Sequence, residues 1–186
     1  NALIKELDSR VYLEIGIKDC ANFSAISAPK KIGVDPSIGL KLRGLARAKR
    51  LFYKAQGTPL YYRDSSQVLY AMTSDEYFSS RFSECVDIVF IDGLHHFDQV
   101  LTDFINACNT LTRHGVILFH DCLPTNPIHA SRIQKTKTWN GDVWKAIYWL
   151  VHQSIGITVF DFDEGCGLVK KPPQQLSFPS LSEIAQ

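Results

Sequence analysis

The stretch from Val86 to Asp121 constrains the fold more than any other. It begins with the apolar run Asp87 to Ile91, which stops at Asp92-Gly93, as a short strand buried on both faces does. Next, Phe97, Val100, Leu101, Phe104, Ile105, Cys108 and Leu111 recur at helical spacing, with Asp98, Gln99, Asp103 and Asn106 opposite, which predicts an amphipathic helix. Arg113 and His114 suit its last turn and Gly115 its C-cap. A second buried strand, Val116 to Phe119, runs into His120-Asp121. Strand, helix and strand within so few residues predict a right-handed parallel crossover. Such a unit brings Asp92, His95, His120 and Asp121 to the carboxyl edge of a sheet, where open α/β sheets bind ligands.

The rest of the chain extends this pattern on both sides. A short helix within Asn1 to Ser9 leads to a strand, Val11 to Ile15, and then to Gly16. A helix from about Asn22 to Ala28, closed by Pro29, precedes the strand Lys31 to Val34, which ends at Asp35-Pro36. Leu40 to Ala55 reads as a basic helix interrupted by Gly44, and LYYRD as an edge strand or a loop. Val68 to Met72 reads as another strand. Ser74 then sits where an N-cap belongs, with Asp75 and Glu76 in the first turn. Cys122 to Gly141 carries two prolines and no periodicity, and loops of that length often cover binding sites. A helix over Asp142 to His152, carrying Val143, Trp144, Ile147, Leu150 and Val151, precedes an antiparallel hairpin of Ile157 to Phe162 and Gly167 to Lys171.

With 186 residues, the simplest organisation is one domain over residues 1–171, able to bury roughly 70% of its unfolded surface, and a loosely ordered tail over 172–186. The five cysteines include no C-x-x-C pair, which disfavours a disulfide framework or a cysteine zinc site and predicts a reducing, cytoplasmic setting. No apolar run approaches the roughly 20 residues of a membrane span. Net charge is +1, so a nucleic-acid footprint is not expected. Between Lys30 and Arg63, nine Lys or Arg face one acid, Asp35; this is a solvated helix face or a contact for an acidic partner.

Two constellations carry chemistry. In the first, Gly16 follows a strand and Asp35 lies 21 residues after Glu14, placed to accept hydrogen bonds from ribose hydroxyls. Lys18 and Ala21 stand where a dinucleotide loop beginning at Gly16 needs glycines, so a nucleoside without a pyrophosphate fits better. In the second, Asp92, His95, His120 and Asp121 gather acids and imidazoles at neighbouring strand ends. The plainer reading of Asp92 and His95 is loop and helix-start capping. Trp139, Trp144 and Trp149 read as packing before a substrate cage, and Arg132, Lys135 and Lys137 as solvated before contacts for an anionic acceptor.

YLEIG, IGVDP, MTSDEYF, VDIVFIDGLHHFDQVLTDF, HGVILFHDC and WNGDVWKAI follow one another in an order that resembles class I S-adenosylmethionine-dependent methyltransferases, over about Tyr12 to Gly167. The similarity is greatest to a bacterial small-molecule subgroup with an IDG-x-H signature. The resemblance implies a doubly wound, seven-stranded, mostly parallel α/β sheet whose last strand is antiparallel. It implies that Glu14 and Gly16 line the methionine end of S-adenosylmethionine, that Asp35 holds the ribose, and that Ser74 and Asp75 lie beside the adenine, with Asp92 bordering the cofactor. Cys20 stands where relatives often carry glycine. Asp92, His120 and Asp121 match metal-ligand places, for Mg²⁺ or, given an imidazole, another divalent cation. His95 matches a general base.

The function expected is methyl transfer to a small acceptor, at a hydroxyl oxygen, with His95 as base and Asp92 beside it. A hydroxyl is a poor nucleophile until its proton leaves, which an imidazole or a metal ion assists. The expected partners are the small-molecule acceptor and a second copy of the chain in a homodimer, with no nucleic acid and no membrane. The rival expectation is a nucleoside-binding module that keeps the fold without the chemistry. An NAD-dependent oxidoreductase fits the missing glycines poorly.

Overall fold

A computed structural model describes residues 1–38, 60–61, 65–80, 85–170 and 172. The helix expected over Leu40 to Ala55 and the tail beyond Pro172 lie outside these residues. The strands are β1 (Val11–Ile15), β2 (Lys30–Val34), β3 (Leu60–Tyr61), β4 (Gln67–Tyr70), β5 (Val86–Ile91), β6 (Leu111–Phe119), β7 (Thr158–Phe160) and β8 (Cys166–Val169). The helices are α1 (Ala2–Glu6), α2 (Ala21–Ala25), α3 (Ser74–Ser80), α4 (Phe97–Thr110) and α5 (Val143–His152).

One sheet runs in the order β3-β4-β2-β1-β5-β6-β8-β7. From β1 the chain steps outward through β2 to β4, then returns to β5 on the other side of β1. That reversal opens a crevice beyond the carboxyl ends of β1 and β5. The β1–β2, β1–β5, β2–β4 and β5–β6 pairs are parallel, whereas β8 is antiparallel to both β6 and β7. The seven strands expected are therefore present, with the last antiparallel. The two-residue β3 is an additional, antiparallel edge strand from the LYYRD segment.

Alternation along the strands divides the core between the two faces. Leu13, Ile15, Val89, Ile91, Ile117 and Phe119 meet Phe78, Leu101, Phe104 and Leu150 of α3, α4 and α5. Tyr12, Ile88, Val116 and Leu168 meet Ile4 of α1 and Phe23 of α2 on the other side. Among the described residues, no helix is long and apolar enough to cross a membrane.

Several local expectations are corrected. Helix α4 ends at Thr110, so Arg113, His114 and Gly115 belong to β6 and form no helical C-terminus. Leu111 already pairs with Val86, and the register then slips until Val116 pairs with Ile88, which loops out the residues between. The Thr112 hydroxyl donates to Asp87 at 2.9 Å and ties this bulge to β5. Thr73, not Ser74, caps α3: its Oγ1 accepts from Glu76 N at 3.2 Å, and Glu76 Oε2 accepts from Thr73 N at 2.8 Å, a reciprocal capping box. Helix α2 stops at Ala25, well before Pro29, where Lys31 Nζ takes the carbonyls of Phe23 and Ile26 at 2.8 and 3.0 Å. Lys31 is thus buried, not part of a solvated basic face. On α5, Trp144 and Val151 face solvent, and Ala146 takes the inward place beside Val143, Ile147 and Leu150. Asp103, expected on the polar face of α4, is 1% exposed.

Candidate active site

A cavity of about 670 Å³ opens at the crevice beyond β1 and β5. Gly16, Asp35, Ser74, Asp75, Asp92, His95, His120 and Asp121 all line it, so residues spread over more than 100 positions meet in one place. Glu14 is absent from its wall.

The β1 end of the cavity depends on close backbone approach. Gly16 has φ +89°, and a Cβ there would overlap the carbonyl of Asp92. Gly16 N donates to Val34 O at 2.8 Å and Asp92 N to Ile15 O at 2.9 Å, so the chain leaving β1 stays tied to β2 and the chain leaving β5 to β1. Beyond β2, Asp35 Oδ2 accepts from Lys18 N at 2.8 Å and Oδ1 from Ser37 N at 2.6 Å, which fixes the carboxylate. Cys20, in the loop between, has φ +64°, a left-handed conformation that glycine adopts without strain.

Glu14 lies behind this wall, 1% exposed. Its Oε2 accepts from Tyr12 OH at 2.6 Å and from Asn22 Nδ2 at 3.1 Å. Burial pushes the carboxyl up to about 7 in spite of those bonds. The sequence pattern thus locates Glu14 at the right strand end but on the α2 side of the sheet.

At the α3 end, Gln99 of α4 ties three oxygens together. Its Nε2 lies 3.3 Å from Ser74 Oγ, 3.2 Å from Asp75 Oδ1 and 3.1 Å from Asp103 Oδ1. Burial pushes the Asp103 carboxyl up to about 7; the Ser74 hydroxyl and the Gln99 amide oppose the rise, and the charge of Asp75 adds to it. Neither Gln99 nor Asp103 was marked out by its position in the sequence, where both fall on a polar helix face.

The opposite end concentrates acids and imidazoles. His95 Nε2 is 3.2 Å from Asp121 Oδ2 and 3.6 Å from Asp92 Oδ1. His120 Nδ1 is 3.2 Å from Asp121 Oδ2 and 3.4 Å from Asp92 Oδ1, while its Nε2 is 3.4 Å from Asp163 Oδ2. Burial pulls both imidazoles down, but the surrounding carboxylates win: His95 is held above the ordinary histidine value and His120 is pushed up to about 11. Asp92 responds in the opposite sense. Burial raises it, and pairing with His120 and His95 more than offsets this, leaving it below the usual carboxylate range.

Asp92, His95 and Asp121 each present a ligand atom within 4.8 Å of the others, the spacing of a cation site. His120 stands beside that group, its Nδ1 directed at both carboxylates. Of the expected metal residues, Asp92 and Asp121 fall in this group and His120 does not, its place being taken by His95; two carboxylates and an imidazole are donors that suit Mn²⁺, Fe²⁺ or Zn²⁺ as well as Mg²⁺.

The loop over 122–141 lies across this end, and Gln134, Lys137 and Trp139 line the cavity from it. It is fastened by Arg132, whose guanidinium meets Asp98 at 3.0 and 3.1 Å, and by Trp139 Nε1 donating to Ser131 O at 2.6 Å. The turn between β7 and β8 lies behind His120: Asp163 reaches its Nε2, and Glu164 O accepts from Leu123 N at 2.9 Å.

Comparison with known proteins agrees with this architecture. A family profile described as a methyltransferase domain matches residues 16–122, more than half of the chain. No curated protein matches the sequence. Among solved structures, the chain is similar to the SAH-bound Podospora anserina methyltransferase PaMTH1, at 13% identity and TM-score 0.63, covering 92% of this chain and 76% of that one. It is similar to the O-methyltransferase TomG from Streptomyces achromogenes, solved in complex with SAM, at 12% identity and TM-score 0.56, covering 92% and 77%. A methyltransferase from Geobacter sulfurreducens is alike at 13% identity and TM-score 0.57, covering 92% and 75%. These identities speak for a common fold, the profile for common descent: the chain belongs to the methyltransferase-domain family.

Proposed function

We propose that this protein binds S-adenosylmethionine in the cavity and transfers its methyl group to a hydroxyl oxygen of a small acceptor, as a member of the IDG-x-H subgroup. The observation that carries this reading is the single cavity lined by Gly16, Asp35, Ser74, Asp75, Asp92 and His95. The adenine lies beside Ser74 and Asp75, the ribose hydroxyls meet the fixed carboxylate of Asp35, and the methionine end passes Gly16. Glu14 acts from behind the wall by holding Tyr12 and Asn22. Asp92 then separates the cofactor from the acceptor, with His95 Nε2 on the acceptor side.

In the transfer, the acceptor oxygen attacks the methyl carbon opposite sulfur. The carbon–sulfur electron pair returns to sulfur, neutral S-adenosylhomocysteine results, and the hydroxyl proton passes to His95 Nε2. Positioning under the 122–141 loop supplies much of the rate, because the displacement requires alignment more than covalent help. Asp92, His95 and Asp121 would hold a divalent cation, which when bound lowers the pKa of a hydroxyl. The nitrogen that serves as ligand cannot also take the proton, so the cation and the His95 base are alternative devices.

A second reading, a module that binds the cofactor without turning it over, is favoured by the left-handed Cys20 in the loop after β1. Calorimetric titration of S-adenosylmethionine, followed by transfer of labelled methyl to catechol, sugar and macrolide acceptors, separates the two. His95→Ala is expected to bind the cofactor and to lose about 10²- to 10⁴-fold in turnover. Absence of cofactor binding, or full turnover by His95→Ala, would overturn the proposal.

A further inference from the structure

We propose that Trp139 to Asp142, the end of the long loop, is a strap that positions His95 and Asp121, with Asn140 and Gly141 as its positioning residues. The inference rests on the reading of His95 and Asp121 as the acceptor-side groups, and it assigns a role to a segment outside both strand-end constellations.

Four observations converge. His95 Nδ1 is 2.8 Å from the Trp139 carbonyl, and the two rings stack at 5.1 Å with 25° between their planes. A carbonyl only accepts, so Nδ1 must carry a proton. The nitrogen left to gain or release a proton, or to bind a cation, is then Nε2, which faces Asp92 and Asp121. Asn140 is completely buried, and its Nδ2 donates to Asp121 Oδ1 at 2.6 Å and to Glu164 Oε2 at 3.2 Å. Its Oδ1 makes no hydrogen bond among the described residues. Turning the amide over would set that oxygen against two carboxylates, so this orientation is the one the surroundings accept. A buried, half-satisfied amide costs stability, and what it returns is the orientation of Asp121.

Gly141 explains how the strap lies so close. Its φ is +62°, and a Cβ would overlap the His95 carbonyl. Asp142 N donates to that same carbonyl at 3.1 Å, while Asp142 Oδ1 accepts from Phe97 N at 2.9 Å and caps α4 from 45 residues away. The strap therefore grips His95 by its ring and its backbone, and α4 by its first turn. His129 O, accepting from Asn140 N and Gly141 N at 3.1 Å each, anchors the strap from the loop side.

The test is the ring-nitrogen spectrum of ¹⁵N-histidine-labelled protein, without added metal. Nδ1 of His95 faces the Trp139 carbonyl, so a proton held there reports the strap, whereas Nε2 faces Asp92 and Asp121 and reports those carboxylates. The wild type is expected to show a slowly exchanging proton on Nδ1, and Gly141→Ala and Asn140→Ala to lose about tenfold of its exchange protection, the worth of one hydrogen bond, while near-ultraviolet circular dichroism shows a retained fold. Should Gly141→Ala fail to fold, Asn140→Ala, which leaves the backbone unstrained, decides alone. A wild type with no proton on Nδ1, or folded variants with the wild-type protection, would overturn the strap. Failure of S-adenosylmethionine to bind would instead remove the proposed function and leave this spectrum unchanged.

Discussion

Replacing Asp103 with Asn isolates the electrostatic cost of a buried carboxyl beside the cavity. Asp103 is 1% exposed, and burial raises its carboxyl from 3.8 to about 7. At about 1.4 kcal/mol for each tenfold in the proton equilibrium, ionising it within the fold costs about 4 kcal/mol more than in the unfolded chain. The folded value is the higher one, so the stability this group contributes is complete below 3.8 and is lost as pH rises toward 7. Between pH 5 and 8, the wild type should lose about 3 kcal/mol relative to Asp103→Asn. An Asn can still accept from Gln99 and Ser74, so a constant offset between the proteins is immaterial and only the pH slope counts. Urea unfolding at pH 5, 6, 7 and 8, at fixed ionic strength and followed by tryptophan fluorescence, gives that slope. Glu14, also raised to about 7, tilts both curves equally and drops out of the difference. Parallel curves for the two proteins would refute the reasoning. The consequence reaches the site, because Gln99 links Asp103 to Ser74 and Asp75 at the proposed adenine end.

Other perturbations test separate parts of the account. Gly16→Ala combines a positive φ with a clash against the Asp92 carbonyl and should cost more than about 2 kcal/mol in urea unfolding, whereas Gly156→Ala, where a Cβ meets nothing within 4 Å, should stay under about 1 kcal/mol. Equal effects would mean that the approach of β1 to β5 is looser than described. Arg132→Ala removes an ion pair with Asp98 whose two side chains are each 43% exposed, and a longer contact, 3.5 Å, to Asp142 Oδ2; if the exposed pair dominates, stability should fall by under about 1 kcal/mol and the loss should shrink with salt. A larger, salt-independent loss would show that the pair supports the loop by more than surface attraction.

The sheet was legible because buried parallel strands are written as short apolar runs, and because each of β1, β2 and β5 ends at an acid or glycine that turns the chain. The same logic located Gly16, Asp35, Asp92 and Asp121 on a shared edge, since alternating strands and helices leave those ends nowhere else to go. What sequence spacing could not convey was burial of polar groups by distant partners. Asp103 reads as a solvent-facing residue until Ser74 and Gln99 close over it, and Lys31 as a surface cation until the carbonyls of Phe23 in α2 and Ile26 just beyond it accept from its ammonium. Asp142 looks like the start of α5, but its carboxylate caps α4. Thr73 competes with Ser74 for the cap, and only the reciprocal bond with Glu76 decides. Asn140 had one sequence signal, the glycine that follows it in a loop, which suggests tight backbone approach without saying to what.

A crystal structure with S-adenosylhomocysteine bound would decide most directly whether the cavity holds the cofactor. Adenine is expected beside Ser74 and Asp75, both ribose hydroxyls on Asp35, and sulfur facing the space bounded by Asp92 and His95. A nucleoside seated elsewhere, or a cavity that stays empty of it at saturating concentration, would show that these residues do not form its site.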